Sequence, residues 1–119
     1  MEKEKLHSFC LTLPGTTYDY QVDWQADRYH VGGKIFAMMS GDSKRKPILT
    51  LKCDPNRAEE LRETYESIIP GYHMNKTHWN SIYFDSNLPN DFLEKLILHS
   101  YHLVFEKLTK KVQTQIISK

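Results

Sequence analysis

The stretch that decides the fold is RYHVGGKIFAMMSGDSKRKPILTLKC, residues 28–53. Its Gly32-Gly33 pair predicts a two-residue hairpin turn, because both positions can take a positive φ without a Cβ clash. The turn joins a polar, aromatic strand at 28–31 to residues 34–40, whose apolar character on both faces predicts a central strand. A polar, basic turn at 41–46 then leads to a further strand at 47–53. Consecutive hairpins of this kind predict a mainly antiparallel sheet.

The segments on either side complete the order of elements. An apolar stripe at helical spacing predicts a first helix that Pro14-Gly15 ends, and its members are Leu6, Phe9, Cys10 and Leu13. Residues 17–22 predict one more strand, and Asp54-Pro55 predicts the N-cap and first position of a second helix. A short strand at 82–85 and a long helix beginning near Pro89 follow. Residues 111–119 are predicted to form a frayed or weakly helical tail.

The predicted order is therefore helix, four strands, helix, strand, helix. Three amphipathic helices need one face of a sheet to bury their apolar stripes. We expect an α+β fold of two layers, an antiparallel β-sheet with helices packed on one face and the opposite face partly open. In the strand at 47–53, Ile48, Thr50 and Lys52 are predicted to point to that open, partly solvated face. A chain of 119 residues suffices for one core, so residues 1–119 are predicted to form a single domain.

Composition and charge exclude several classes of protein. A content of 39% hydrophobic and 26% charged residues is typical of a globular domain, not of a disordered or fibrous chain. Neither a membrane helix nor an apolar signal segment is visible, so we expect a cytoplasmic protein without a membrane partner. Cys10 and Cys53 each lie in an apolar pattern and are predicted to be buried free thiols. A monomer is favoured, although the sequence does not determine the oligomeric state.

Functional side chains are densest between residues 69 and 85. Cations there and in the 44–46 turn could neutralise phosphates while Trp79 stacks on a base. The candidate nucleic-acid-binding residues are Lys34, Lys44, Arg45, Lys46, Lys52, Lys76, His78 and Trp79. A net charge of +1 gives no global field for a polyanion, so DNA binding would depend on this local patch. The structural alternative is that Trp79 anchors the loop, His78 satisfies backbone groups and the basic turn is a solvated hairpin tip.

Motifs along nearly the whole chain resemble the MmcQ/YjbR family. They are CLTLPGT at 10–16, KIFA at 34–37, LKCDP at 51–55, PGYHMNKTHWN at 70–80 and Ser100-Tyr101. The resemblance implies a CyaY-like, frataxin-type fold in a small cytoplasmic bacterial protein. It also brings a proposal of DNA binding, made for the family from its fold, in which loops act as wings. The chain departs from the commoner family pattern at YQVDW, residues 20–24, where a Pro-Phe-Gly-like segment is expected.

Three functions remain open at this point. The leading hypothesis is a DNA-binding module that uses the loop and a wing-like hairpin. The alternative is a protein- or small-ligand-binding domain that uses the open sheet face and a pocket near Trp79, formed by His73, Asn75, Trp79 and Tyr83. The third, a frataxin-like metal binder, is disfavoured because acidic residues on the helices alternate with Lys and Arg, and no third ligand accompanies the histidine pairs. No metal, cofactor or catalytic residue is predicted, since no catalytic motif is present.

Overall fold

The computed structural model describes residues 2–72 and 74–118. Its elements follow the predicted order with two additions. They are α1 (Lys3–Thr12), β1 (Thr16–Gln21), β2 (Ala26–Val31), β3 (Lys34–Gly41), β4 (Pro47–Lys52), α2 (Pro55–Thr64), β5 (Ile68–Pro70), β6 (Trp79–Tyr83), α3 (Asn90–Phe105) and α4 (Lys110–Ile117). The additions are β5 and α4.

The strands form one antiparallel sheet in the order β1-β2-β3-β4-β6-β5. The predicted hairpin turn between β2 and β3 has φ of 57° at Gly32 and 80° at Gly33. Beyond it, Tyr29 faces Ala37 while His30 faces Ile35, which leaves Phe36 as the extra residue at an irregularity of β3. The predicted antiparallel sheet is confirmed.

Helices α1, α2 and α3 pack on one face of this sheet. The cross-strand register puts Tyr29, Ala37, Leu51 and Asn80 on the same face. On that face His7 of α1 contacts Tyr29, and the carbonyl of Ala58 in α2 accepts a hydrogen bond from the Asn80 side chain. In the main core, the same sheet face packs against α3. Leu49, Leu51 and Ile82 come from the sheet, and Leu93, Leu96 and Ile97 come from α3. The predicted two-layer α+β fold is therefore confirmed.

The second face of the sheet is less open than the sequence predicts. Ile48 and Thr50, expected on a partly solvated face, are fully buried, and Met38 beside them is 1% exposed. The hydroxyl groups of Thr50 and Ser81 are 2.7 Å apart, and Ser81 also accepts the backbone N–H of Tyr72 at 2.9 Å. The backbone just after β5 is thus hydrogen-bonded to a side chain of this face, a contact that the alternation of polar and apolar residues does not reveal.

The C-terminal tail is more regular than predicted. Residues 111–119 were expected to be frayed or weakly helical, whereas α4 continues to Ile117, with its first turn capped by the Thr109 hydroxyl, which accepts from the N–H of Val112. The side-chain amide of Gln113 donates to the carbonyl oxygens of Phe105, the last residue of α3, and Leu108, and Ile116 packs beside Gly15.

Strand β6 also begins earlier than the predicted strand at 82–85, since Trp79 already pairs with Lys52.

Candidate functional site

The loop before β6 is braced from within. The Asn75 side chain accepts the backbone N–H groups of Thr77 and His78 at 2.9 and 3.2 Å, the arrangement of an Asx turn. The Lys76 ammonium donates to the Gly71 carbonyl at 3.0 Å, so this exposed side chain folds back on its own loop. His73, named for the alternative pocket, lies outside the described residues.

Trp79 anchors this loop. Trp79 is 9% exposed, and its backbone carbonyl accepts a hydrogen bond from the N–H of Gly71 at 2.7 Å. A Cβ on Gly71 would stand 2.6 Å from the Trp79 Cβ, so only glycine allows this approach. The neighbouring residue, the exposed His78, ties the loop to the end of β4, because its carbonyl accepts a hydrogen bond from the N–H of Cys53 at 2.8 Å. Trp79 therefore presents no exposed ring for base stacking.

The basic residues proposed from the sequence divide between the two ends of the sheet. Lys52 faces Trp79 at one end of β4 and β6, and Lys34 opens β3 near the same end. The 44–46 turn and Tyr83 lie at the other end, next to the start of β4. Five strand residues separate the ends, roughly 17 Å. The structure does not bring the loop and the basic turn together, nor does it place Tyr83 in a pocket with Asn75 and Trp79.

Asp42 organises the turn between β3 and β4. One carboxylate oxygen accepts the N–H groups of Lys44 and Lys46, both at 2.9 Å, and the other accepts the Tyr83 hydroxyl at 2.9 Å. These hydrogen bonds, the Lys46 amide first, lower the pKa of Asp42. The Lys46 ammonium lies 3.0 Å from Asp85 and 4.7 Å from the Tyr83 ring centroid, and its hydrogen bond to Asp85 raises its pKa. The charge of Lys46 is thus already compensated.

A cleft of about 400 Å³ opens at this same end of the sheet. It lies between the β1–β2 turn and the β3–β4 turn, with the start of α1 alongside. We call it the Trp24 cleft, and its lining consists of Lys3, Tyr20, Trp24, Gln25, Asp27, Met39, Ser40, Gly41, Asp42, Arg45, Pro47 and Phe84.

Aromatic rings form one wall of the Trp24 cleft. Tyr20 and Trp24 each expose 51% of their surface, although large aromatic rings are usually more buried. The guanidinium of Arg28 lies 5.3 Å from the Trp24 ring centroid and donates two hydrogen bonds to Asp19, at 2.7 and 2.6 Å. The indole is therefore held by a fixed cation while much of its surface faces solvent.

The polar groups of the cleft differ in how well they are paired. Asp27 is 7% exposed, forms an ion pair with Lys3 at 2.7 Å and accepts a hydrogen bond from the Tyr18 hydroxyl. That hydrogen bond is the main reason why the pKa of Tyr18 is raised to about 12. By contrast, the Arg45 guanidinium has no hydrogen bond or ion pair with any described residue. The Ser40 hydroxyl is buried and likewise finds no partner in the described part of the chain.

Backbone strain is concentrated at the same place. Among the described residues other than glycine, positive φ occurs at Gln25, at 50°, and Arg45, at 62°. Both residues line the Trp24 cleft, one on each turn. A left-handed conformation costs an ordinary residue about 1–2 kcal/mol. Such strain clusters at functional sites, so these two positions single out the cleft.

The YjbR family model matches residues 11–103. This chain belongs to the YjbR family. It is 36% identical to "Uncharacterized protein YbdF" of Escherichia coli O157:H7 and 29% identical to "Uncharacterized protein YjbR" of Escherichia coli strain K12, with 98% of each chain covered in both comparisons. The family resemblance predicted from the sequence is confirmed.

Solved structures of similar proteins agree with the fold. The crystal structure of Deinococcus radiodurans protein DR2400, of the DUF419 domain family, has a TM-score of 0.85 and 34% identity, covering 95% of this chain and 86% of that one. A crystal structure of a Pseudomonas syringae protein, 23% identical, has a TM-score of 0.73 and covers 87% of this chain and 99% of the other. The second likeness shows the fold alone.

Sequence reasoning named Arg45 but missed Tyr20 and Trp24. Both rings lie in residues 20–24, the segment where the sequence was expected to depart from the family resemblance. That departure was the signal that could have found them. It replaces a turn-forming segment with two aromatic residues next to the strained Gln25.

The two cysteines are buried in the fold, and His99 is hydrogen-bonded within it. Cys10 and Cys53 are free and buried, as predicted, and burial raises the pKa of Cys10 to about 12. The Nε2 atom of His99 accepts the N–H of Asp54 at 3.3 Å, and burial lowers the pKa of His99. Within residues 2–72 and 74–118, three or more His, Cys, Asp or Glu side chains do not cluster as a metal site would require. None of the described helices is long and apolar enough to cross a membrane.

Proposed function

We propose that this protein is a non-enzymatic binding domain that holds a small organic ligand with a flat ring in the Trp24 cleft. The observation that carries the proposal is that two rings, Tyr20 and Trp24, are half exposed in one cleft. Its volume of about 400 Å³ falls in the range of small-molecule sites. This keeps the small-ligand hypothesis from the sequence but moves its site from Trp79 to Trp24.

The charge of the cleft favours a small ligand over a long polyanion. The formal charges of Lys3 and Arg45 are matched by those of Asp27 and Asp42. A nucleic-acid strand is held mainly by cations that neutralise successive phosphates, which a balanced cleft does not supply. A small ring system needs only a stacking surface and a few polar groups.

Titration calorimetry with adenosine, AMP, indole and indole-3-acetate tests the proposal. Trp24→Ala should weaken binding of every probe that binds the wild type, by roughly fivefold to about 150-fold, since an aromatic stack contributes about 1–3 kcal/mol. Trp24→Phe keeps a flat ring and should retain part of the affinity. Trp24 fluorescence gives a second readout, because the other tryptophan, Trp79, is buried. The proposal is wrong if no probe binds, or if Trp24→Ala binds them all as well as the wild type.

DNA is the second candidate, and the exposure of Lys44 and Arg45 on the β3–β4 turn favours it. This turn is the wing-like hairpin of the sequence hypothesis, with Trp24 across the cleft as the stacking ring in place of Trp79. Binding of a short oligothymidylate and of a duplex at low salt would test it. The double variant Lys44→Ala/Arg45→Ala should weaken binding and flatten its salt dependence. The matched control is Lys95→Ala/Lys107→Ala, which removes two exposed cations outside the cleft.

A further inference from the structure

We infer that the Trp24 cleft selects a ligand whose flat ring carries an oxyanion, a phosphate or a carboxylate, and that Arg45 sets this preference. The inference rests on the proposed function, because it names the ligand class of the same cleft. It adds a charge requirement that stacking on Tyr20 and Trp24 does not impose.

Of the described charged residues that line the cleft, Arg45 is the one whose charged group is free to bind a ligand. Asp27 is engaged by Lys3 and by the Tyr18 hydroxyl. The carboxylate of Asp42 already accepts three hydrogen bonds from its own turn and from Tyr83. Within the described residues, Arg45 is therefore the charged residue of the lining that lacks a partner. Its charge is available to a ligand.

The backbone at Arg45 makes the same point independently. At a φ of 62° glycine or asparagine would be less strained than arginine. The fold makes room for this conformation, since a Cβ on Gly41 would stand 3.0 Å from the Arg45 Cα. Among the described residues, the arginine side chain offsets this strain with no hydrogen bond, ion pair or ring contact. A strained residue whose charged group has no partner in the fold is a candidate for binding a ligand through that group.

The chemistry of the guanidinium then defines the ligand. Its planar array of N–H groups donates two parallel hydrogen bonds to a carboxylate or a phosphate. The rings of Tyr20 and Trp24 lie in the same cleft, so one small molecule can stack and place its anion on Arg45 at once. Mononucleotides and aromatic carboxylates both meet this description.

Affinities for matched pairs of probes test the inference. Wild-type protein should bind AMP at least about tenfold more tightly than adenosine, because a hydrogen bond to a charged group adds that much or more. Indole-3-acetate against indole makes the same comparison for a carboxylate. Arg45→Asn should abolish both preferences, so that AMP binds no more tightly than adenosine and indole-3-acetate no more tightly than indole. Asparagine tolerates the left-handed conformation, so the variant should unfold at the same or a higher temperature.

Two further variants keep the test decisive. Arg45→Lys retains the charge without the planar donor pair and should keep only part of the preference. Lys44→Asn removes the neighbouring exposed cation and should leave the preference intact. If Arg45→Asn fails to fold, Arg45→Gln takes its place in the comparison.

The possible failures are distinguishable. Equal binding of AMP and adenosine, and of indole-3-acetate and indole, by the wild type would overturn the inference but leave the proposed function standing. An anion preference that survives Arg45→Asn would also overturn it. Absence of binding by all four probes would overturn the proposed function and the inference together.

Discussion

Replacing Ser100 with alanine should strongly destabilise the protein. Its hydroxyl donates to the carbonyl of Phe36 and accepts the N–H of Lys52 at 2.9 Å. Direct pairing of β3 and β4 ends at Ala37 and Leu51. The next two backbone groups, the carbonyl of Phe36 and the N–H of Lys52, are instead bridged by the Ser100 hydroxyl. Because Ser100 is fully buried, alanine leaves both backbone groups without their partner and out of reach of bulk water.

Each buried polar group left unpaired costs about 1–3 kcal/mol. The Phe36 bond is buried and the Lys52 bond is partly buried, which gives about 2–4 kcal/mol for the pair and a fall in Tm of roughly 6–20 °C. Urea unfolding followed by tryptophan fluorescence measures the loss. Ser8→Ala, at an exposed position of α1, is the matched control for the higher helix propensity of alanine. A loss below about 1 kcal/mol for Ser100→Ala would refute the bridging role.

Three further changes test other parts of the structure. Gln25→Gly should raise stability by roughly 0.5–1 kcal/mol in thermal unfolding, because relief of the positive φ exceeds the added flexibility of the unfolded chain. Gly71→Ala should cost about 2–3 kcal/mol in urea unfolding, since the new Cβ meets the Cβ and backbone of Trp79. The raised pKa of Tyr18 means that its O–H bond to Asp27 stabilises the fold fully below about pH 10 and less as pH rises through about 12. Tyr18→Phe should therefore lose less stability than wild type between about pH 9 and about pH 11.

The fold was predictable where local chemistry determines the chain direction. Gly32-Gly33 requires a tight turn between two strands, and Asp54-Pro55 specifies a helix start, which the structure confirms through hydrogen bonds from two N–H groups to Asp54. Strand β5 was not predictable, because three residues carry no usable period. On the second sheet face, the hydroxyl groups of Thr50 and Ser81 meet although 31 positions of sequence separate them. Long-range packing of this kind leaves no local pattern.

The sequence predicts where the two turns of the candidate site lie, but not which tryptophan is exposed. The β1–β2 and β3–β4 turns lie at one end of the sheet because each follows an odd-numbered strand of an antiparallel meander, so the predicted topology already placed residues 22–25 near 42–46. The exposure of the two tryptophans was not readable, since both are flanked by polar residues. Trp79 is buried because Gly71 lets the chain close over it, whereas Trp24 lies in a turn that exposes it.

Stability and ligand affinity, measured on the same variants, test whether the strained turns serve ligand binding or only connect strands. Gln25 and Arg45 hold costly backbone conformations, and the Arg45 guanidinium makes no hydrogen bond or ion pair with a described residue that would offset the cost. If the turns served only to connect strands, glycine at 25 and asparagine at 45 would improve the protein without a loss elsewhere. If the cleft binds an aromatic anion, Arg45→Asn should gain stability and lose affinity in one step. A gain in stability with unchanged affinity for AMP would instead leave the strain at Arg45 without a function in this cleft.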